Sequence, residues 1–583
     1  MTGVAAVWAA LQGAPWRGVA AAAPDPRNIR HGWTIPDEGY CDQPYVVVTD
    51  AGDWLCVLTT GPGEEGDARQ HIVATRSRDF GRTWTPLVDI EPPGPPEASW
   101  VMPLKTPGGR IYVFYVYNGD GVRSIGDRAI RADMLGHYVF RCSHDHGHTW
   151  SPRQRIPLRA TAVDRENDFA GAVQMFWGVG KPIVAGDSVY LGLSKIGRWL
   201  VDRTEGFFLY SPDLLAARDP AGITWQLLPE GDRGLRASKG AIAEEHNLVA
   251  LDRGGLYCVY RTVDGFLCAA TSGDGGRSWS APAYAAYLAG GRPIKNPRGP
   301  AFVKKAGAGR YLLTCYNHGG TDFDGRNPLW IAGGIEREGT ILWSEPEICL
   351  YDDDPATRIG YPDLIEQDGR WFLTETQKRV ARVHELDPTL LAGLWEQPGP
   401  SGAAARDGCA LDLRPASTAA LSAPAPQLPR LAEGGGFALE LRLRSAVWGA
   451  GRTLLDARDD RGRGVALLTA EAGSIELVLS DGQLSFSCAS VPGPLAAPGW
   501  HHFVAIADGG PALVTFVVDG VLDDGGMARQ RGWHRFDRAL ADVNGAARMT
   551  LARPQDAELA RARIYTRYLR TSEAVGNYRA GMR

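Results

Sequence analysis

Two histidines stand at matching places in the chain: His71 lies six residues before Ser77, and His137 six before Ser143, the first residues of two copies of one octapeptide. Unperturbed imidazoles titrate near about 6.5, so such a pair can act as acid and base at neutral pH. Farther along come a carboxylate and a phenol, Glu245 and Tyr361, and three guanidinium groups, Arg261, Arg298 and Arg326. Guanidinium forks hold carboxylates through paired, charge-assisted hydrogen bonds. Trp100 and Trp177 offer flat aromatic faces for stacking, while Gln43, Lys181 and His246 offer polar contacts. Glu244 and Glu245 are neighbours on a strand-like run and face opposite sides, so only one of them should enter a shared pocket.

The elements that must position these groups are strands. The run Ser77-Arg-Asp-Phe-Gly-Arg-Thr-Trp84 recurs at 143–150 and at 272–279, each fitting S-x-D-x-G-x-[ST]-W. Asp in such a turn accepts hydrogen bonds from its own backbone, Gly takes the left-handed conformation, and Trp packs the turn onto its sheet. A second repeat, a hydrophobic hairpin about a Gly-containing turn, occurs at 40–60, 99–118, 176–195, 243–261, 297–317 and 360–376. Ser211-Pro-Asp213 with Ile223-Thr-Trp225 reads as a decayed outer turn. Six such units in residues 1–390 predict a six-bladed β-propeller, whose innermost strands bring the listed side chains to one central pocket.

The octapeptide resembles the Asp box of sialidases and other BNR-repeat propellers, in which it is an outer structural turn without a catalytic role. Glu245, Arg261, Arg326 and Tyr361 follow one another at intervals of 16, 65 and 35 residues, and that order resembles the sialidase site. The resemblance implies a Tyr361 nucleophile, Glu245 as the base that takes its proton, and Arg261 and Arg326 in a clamp on a substrate carboxylate. It also implies that Glu375 lies near an arginine. Two positions depart from the family. Asp42, in Cys41-Asp-Gln-Pro44, stands where the first clamp arginine is expected, with Arg298 as a substitute guanidinium. His71, with His137 beside it, stands where the family carries its acid/base Asp.

Beyond Leu386 the chain becomes rich in Pro, Ala and Gly, and residues 391–432 read as an inter-domain linker. Residues 433–583 carry alternating strand patterns. Gly499-Trp-His-His-Phe503, Phe516-Val-Val-Asp-Gly520 and Ala562-Arg-Ile-Tyr565 resemble the laminin-G and concanavalin A-like jelly roll, in which His501 and His502 fill strand positions rather than a metal site. The expected fold is therefore all-β throughout.

A net charge of −5 over 583 residues gives no basic footprint for nucleic acid or an anionic membrane surface. Nine scattered cysteines without a C-x-x-C pair argue against a disulfide framework or zinc knuckle. No nucleotide loop or H-E-x-x-H run occurs, so no cofactor is expected, a structural calcium in the jelly roll aside. The Ala-rich start from Val4 to Ala23 is broken by Gln12, Pro15, Trp16 and Arg17 and forms neither a spanning segment nor a clear signal peptide. A cytoplasmic location is the default expectation, with secretion or periplasmic export open, and oligomeric state is not legible. The function expected is exo-acting hydrolysis of a terminal acidic sugar from an oligosaccharide or polysaccharide. A lyase acting on a uronate through His, Tyr and Arg, and a non-catalytic lectin, are the alternatives.

Overall fold

The computed structural model describes residues 24–198, 202–288, 291–399, 402–414, 422–444, 448–552 and 557–581. The Ala-rich start lies outside them. The protein is all-β. Its N-terminal two-thirds form six antiparallel sheets of four or five strands, and in five of them the strand order follows the chain. The first is Tyr40–Val48, Trp54–Gly61, His71–Ser77 and Val88–Asp89; the second is Ala98–Lys105, Ile111–Tyr117, His137–Ser143 and Gln154–Ile156. The third is built on Ser188–Arg198 and Asp202–Ser211, with Phe176–Trp177 inside and Gln226–Leu228 outside. Ala243–Ala250 and Leu256–Thr262 open the fourth sheet, Val303–Gly307 and Arg310–Cys315 the fifth, and Gly360–Gln367 and Arg370–Thr376 the sixth. The N-terminal strand Trp33–Ile35 supplies the outer edge of the sixth sheet by pairing with Ala381–Val383, so the two ends of this region are tied together.

Each sheet packs on the next. Buried clusters join the second sheet to the third (Met102 and Tyr138 with Phe176 and Leu191) and the fifth to the sixth (Leu312 and Ile331 with Leu364 and Leu373). The first strand of the first sheet touches those of the second and sixth, and the first strand of the fourth touches the third and fifth. Across the seam between first and last sheets, Asp363 accepts from the Val46 amide at 2.8 Å and Thr374 donates to the Pro44 carbonyl at 2.6 Å.

The octapeptides form identical turns. Asp79 accepts from the Thr83 amide and hydroxyl at 2.9 and 2.7 Å, and the Gly81 amide donates to Ser77 at 2.8 Å, with the same bonds at 143–149 and 272–278. Asp213 accepts from Thr224 at 3.0 Å, so the decayed copy keeps its bond across an insertion.

The C-terminal region contains a seven-stranded and a six-stranded sheet packed face to face. Along Gly436–Arg444 and His501–Asp508, alternate residues Leu439, Leu441, Phe503 and Ala505 face the six-stranded sheet. Ala438, Val504 and Ile506, between them, face the fourth and fifth sheets, the period-two division expected of a strand buried on both sides. Described parts of the stretch 391–432, expected as a linker, pair with the C-terminal sheets. Cys409–Leu413 pairs with Glu558–Tyr565 and Ser422–Pro424 with Arg548–Leu551, because both large sheets need an edge strand there. The helix Pro388–Glu396, capped by Asp387, packs Leu390, Leu391 and Leu394 on the fifth and sixth sheets. No described helix is long and apolar enough to cross a membrane.

Candidate active site

Four of the six sheets carry the same irregularity in their first strand. The ladder is interrupted by a bulge after Asp42, Ser99, Glu244 and Gly360, and the next residue is left-handed: Gln43 (φ 52°), Trp100 (64°), Glu245 (59°) and Tyr361 (49°). A bulge re-aims a side chain, and positive φ in bulky residues is strained backbone that the surrounding sheet must hold in place. Three of these residues, Trp100, Glu245 and Tyr361, line one cavity of about 400 Å³ together with Trp177, Arg261 and Arg326.

The remaining walls come from connections between second and third strands. The first sheet's connection supplies Glu65, the second's Arg131, the fifth's Phe323 as well as Arg326, and the sixth's Gln377 and Lys378.

At the centre, the Tyr361 hydroxyl donates to Glu245 Oε1 at 3.1 Å, and Arg261 Nη1 stands 2.9 Å from the same oxygen. Burial, then the Glu245 charge, pushes the phenol well above its ordinary range. Burial also raises the Glu245 carboxyl, against the pull of Arg261. Tyr361 is therefore a neutral phenol whose proton has one adjacent acceptor. Glu244, opposite Arg261 in the ladder, binds Arg261 Nη2 at 2.9 Å and Arg298 Nη2 at 2.5 Å. Phe323 lies under all three guanidinium groups, 5.8, 5.0 and 5.7 Å from those of Arg261, Arg298 and Arg326.

Across the cavity, the Lys378 ammonium sits 4.3 Å from the centre of the Tyr361 ring, paired with Asp42 and 3.3 Å from Glu65. Arg131 joins Glu65 and Asp133, each at 2.7 Å. Burial would raise Glu65, but Lys378 and Arg131 outweigh it and hold the carboxyl at about 2.

Several sequence expectations fall elsewhere. His71 and His137 open third strands, one strand too far out, and the connections before them reach the cavity instead. The His71 ring is held by Glu38 at 2.8 Å and the Glu91 carbonyl at 3.1 Å. His137 lines a separate cavity of about 200 Å³ with Asp120 and Arg155. His246, the second residue of its bulge, turns away and stacks on Tyr260 at 4.3 Å. Lys181 ties Val46 and Asp363 together, while Glu375, outside the cavity, does lie near an arginine, 4.0 Å from Arg382, as well as 3.2 Å from His384. Gln43, Asp42 and Arg298 are buried without lining the cavity; Asp42 reaches it through Lys378, and Arg298 is tied through the buried Glu244 to the lining Arg261.

Glu65, Arg131, Phe323, Arg358, Gln377 and Lys378 line the cavity and were not anticipated. The usable signal was position, since all but Arg358 lie on connections between second and third strands, which reach the same cavity as the bulges. Among the described residues no group of three His, Cys, Asp or Glu side chains is placed to hold a metal ion.

No curated protein sequence matches the chain. Solved structures similar to it include a Dyadobacter fermentans protein of unknown function, 18% identical, covering 61% of this chain and 98% of its own, with a TM-score of 0.44. Trypanosoma rangeli sialidase with 2,3-difluorosialic acid, as a covalent intermediate, is 13% identical over 93% of this chain and 94% of its own, with a TM-score of 0.43. A Hadza microbial sialidase is 17% identical over 60% and 66%, also with a TM-score of 0.43. Trp100, Glu245, Arg261 and Tyr361 fall within residues 98–373, and that stretch matches the family model described as BNR repeat-like domain.

Proposed function

We propose that the six sheets are the blades of a β-propeller, that the two larger sheets form a concanavalin A-like jelly roll, and that the protein is an exo-acting glycoside hydrolase. The observation that carries the reading is the Tyr361–Glu245 hydrogen bond of 3.1 Å inside a cavity walled by Trp100 and Trp177. A buried phenol beside one carboxylate is an activated nucleophile, and the indoles suit a sugar ring. In the first step Tyr361 Oη bonds to the anomeric carbon as its proton passes to Glu245, and the glycosidic bond breaks towards the leaving oxygen. In the second, water displaces Tyr361, which recovers its proton from Glu245.

Glu65 is assigned the acid/base role expected of His71. It lines the cavity beside Lys378 and Arg131 and is ionised at rest, suited to deprotonate the water. Before the first step it takes a proton from solvent, which it passes to the leaving oxygen, and in the second step it takes one from the attacking water. The lyase alternative loses its imidazole base, since no histidine is among the residues lining the cavity.

Mass spectrometry of products from a glycan panel tests the reading: a released sugar with gain of one water supports it. An unsaturated product would replace it with a lyase, and binding without product with a lectin. Tyr361→Phe is expected to lower turnover by roughly 10³-fold or more with binding retained, and near-normal turnover would remove the nucleophile assignment.

A further inference from the structure

Resting on the sugar-site reading above, we propose that the cavity holding His137 is a second subsite, which takes a sugar residue further along the glycan whose end fills the central cavity. An exo-acting enzyme encloses only the terminal residue, so the rest of the glycan must leave over the walls of that cavity. Where the second and third sheets meet, the second cavity, about 200 Å³, lies on the way. It takes its walls from the third and fourth strands of the second sheet and from the segment that leads into Phe176.

Two shared walls put the cavities side by side. The connection 118–136 gives Arg131 to the central cavity and Asp120, Val122 and Leu135 to the second. It is pinned between them by Trp100, whose indole donates to the Asp133 carbonyl at 2.9 Å. On the next sheet Trp177 lines the central cavity and its neighbour Phe176 the second, as successive residues of a strand face opposite ways. The ladder gives the separation. Ala98, Tyr117 and His137 are in register across the first three strands of the second sheet. At about 4.8 Å per strand, His137 stands about 10 Å from the strand that carries Trp100, a distance that an oligosaccharide of a few residues covers.

The chemistry of the second cavity suits a sugar ring. Leu135, Ile156 and Phe176 are buried and give it an apolar wall for the C–H face. Its polar groups are few and open, the pattern of a ligand pocket. His137 Nδ1 is buried without a hydrogen-bond partner, and Nε2 lies 3.5 Å from an Asp120 oxygen. Arg155, exposed to solvent, forms no ion pair among the described residues. A buried ring nitrogen left unpaired costs free energy. A hydroxyl satisfies it in either tautomer, being both donor and acceptor, and a sugar ring presents further hydroxyls to the Arg155 donors and the Asp120 acceptors.

The test is a ligand-observed NMR titration of the full chain carrying Tyr361→Phe, so that no probe is consumed. Each monosaccharide is compared with an oligosaccharide that ends in it: N-acetylneuraminate with sialyllacto-N-tetraose, galactose with lacto-N-tetraose, and glucuronate with a hyaluronan tetrasaccharide. In at least one series the oligosaccharide is expected to bind roughly ten-fold tighter. Ala172→Trp, which fills the second cavity from an exposed position, should bring the oligosaccharide back to the affinity of the monosaccharide, and Arg155→Ala should remove part of the difference. Equal affinities in every series overturn the inference, as do an advantage that survives Ala172→Trp and failure of every probe to bind. Turnover is followed separately with the wild type on nitrophenyl glycosides of the same sugars. An oligosaccharide advantage without turnover would end the hydrolase reading and leave the subsite standing; turnover without the advantage would do the reverse.

Discussion

Tyr361 and Glu245 share one proton across 3.1 Å, and the cations around them set where charge sits. Lys378 holds Glu65 at about 2 together with Arg131. Lys378→Met is therefore expected to raise the Glu65 carboxyl by about one unit or more, moving the acid limb of kcat/KM to higher pH. An unmoved limb would separate Glu65 from the reaction. His246 is a structural counterpart, because burial between Phe208 and Tyr260 lowers its imidazole to about 3. Its folded value lies below the unfolded one, so the stability tied to its neutral form is complete above about 6.5 and lost as pH falls towards the folded value, by about 1.4 kcal/mol per unit. His246→Leu should flatten the pH dependence of the urea midpoint between pH 6 and 4 by one proton. An unchanged slope would mean that the native ring protonates.

Among elements, bulges and turns divide the work. The bulged first strands aim Trp100, Glu245 and Tyr361 at the cavity at the cost of left-handed backbone, while the octapeptide turns pack on the neighbouring sheet, Phe80 against Phe372 and Trp279 against Phe208. Asp145 accepts from Ser143 and from the amide and hydroxyl of Thr149 at 2.7, 2.8 and 2.6 Å, all within one exposed turn. Asp145→Ala should cost about 1–2 kcal/mol of stability and leave kcat/KM unchanged. A loss of activity in the still-folded variant would give these turns a role they lack here.

For the whole molecule, the C-terminal region braces the cavity from behind. Gly319 donates to the Gln530 carbonyl at 2.7 Å, Gly532 to the Asn317 carbonyl at 2.9 Å, and Trp533 stacks on Trp330, 6.0 Å between centres. These contacts hold the connection that carries Phe323 and Arg326. Arg27 reaches Asp508 at 2.7 Å, and Glu347 caps the last helix by accepting from the Thr571 and Ser572 amides at 3.0 and 2.7 Å. Trp533→Ala is expected to cost about 3 kcal/mol and, by loosening that connection, to raise KM more than it lowers kcat. With an apolar interface of this kind the two regions should unfold in one calorimetric transition, and two separated transitions would refute the coupling.

What the sequence by itself determined is what neighbours in the chain encode. The octapeptide turns, the six hydrophobic hairpins and the order of Trp100, Glu245, Arg261 and Tyr361 all follow from side-chain alternation and turn chemistry within a few residues. Tertiary structure alone decided which connections reach the centre, and so brought in Glu65, Arg131, Phe323 and Lys378 and left out His71 and His137. It also decided that Glu244 pairs with Arg298, 54 positions away, as well as with the cross-strand Arg261. Strand alternation tells which face a residue takes, but not whether its strand reaches the cavity or which distant charge will meet it. Those are set by how the sheets close on one another.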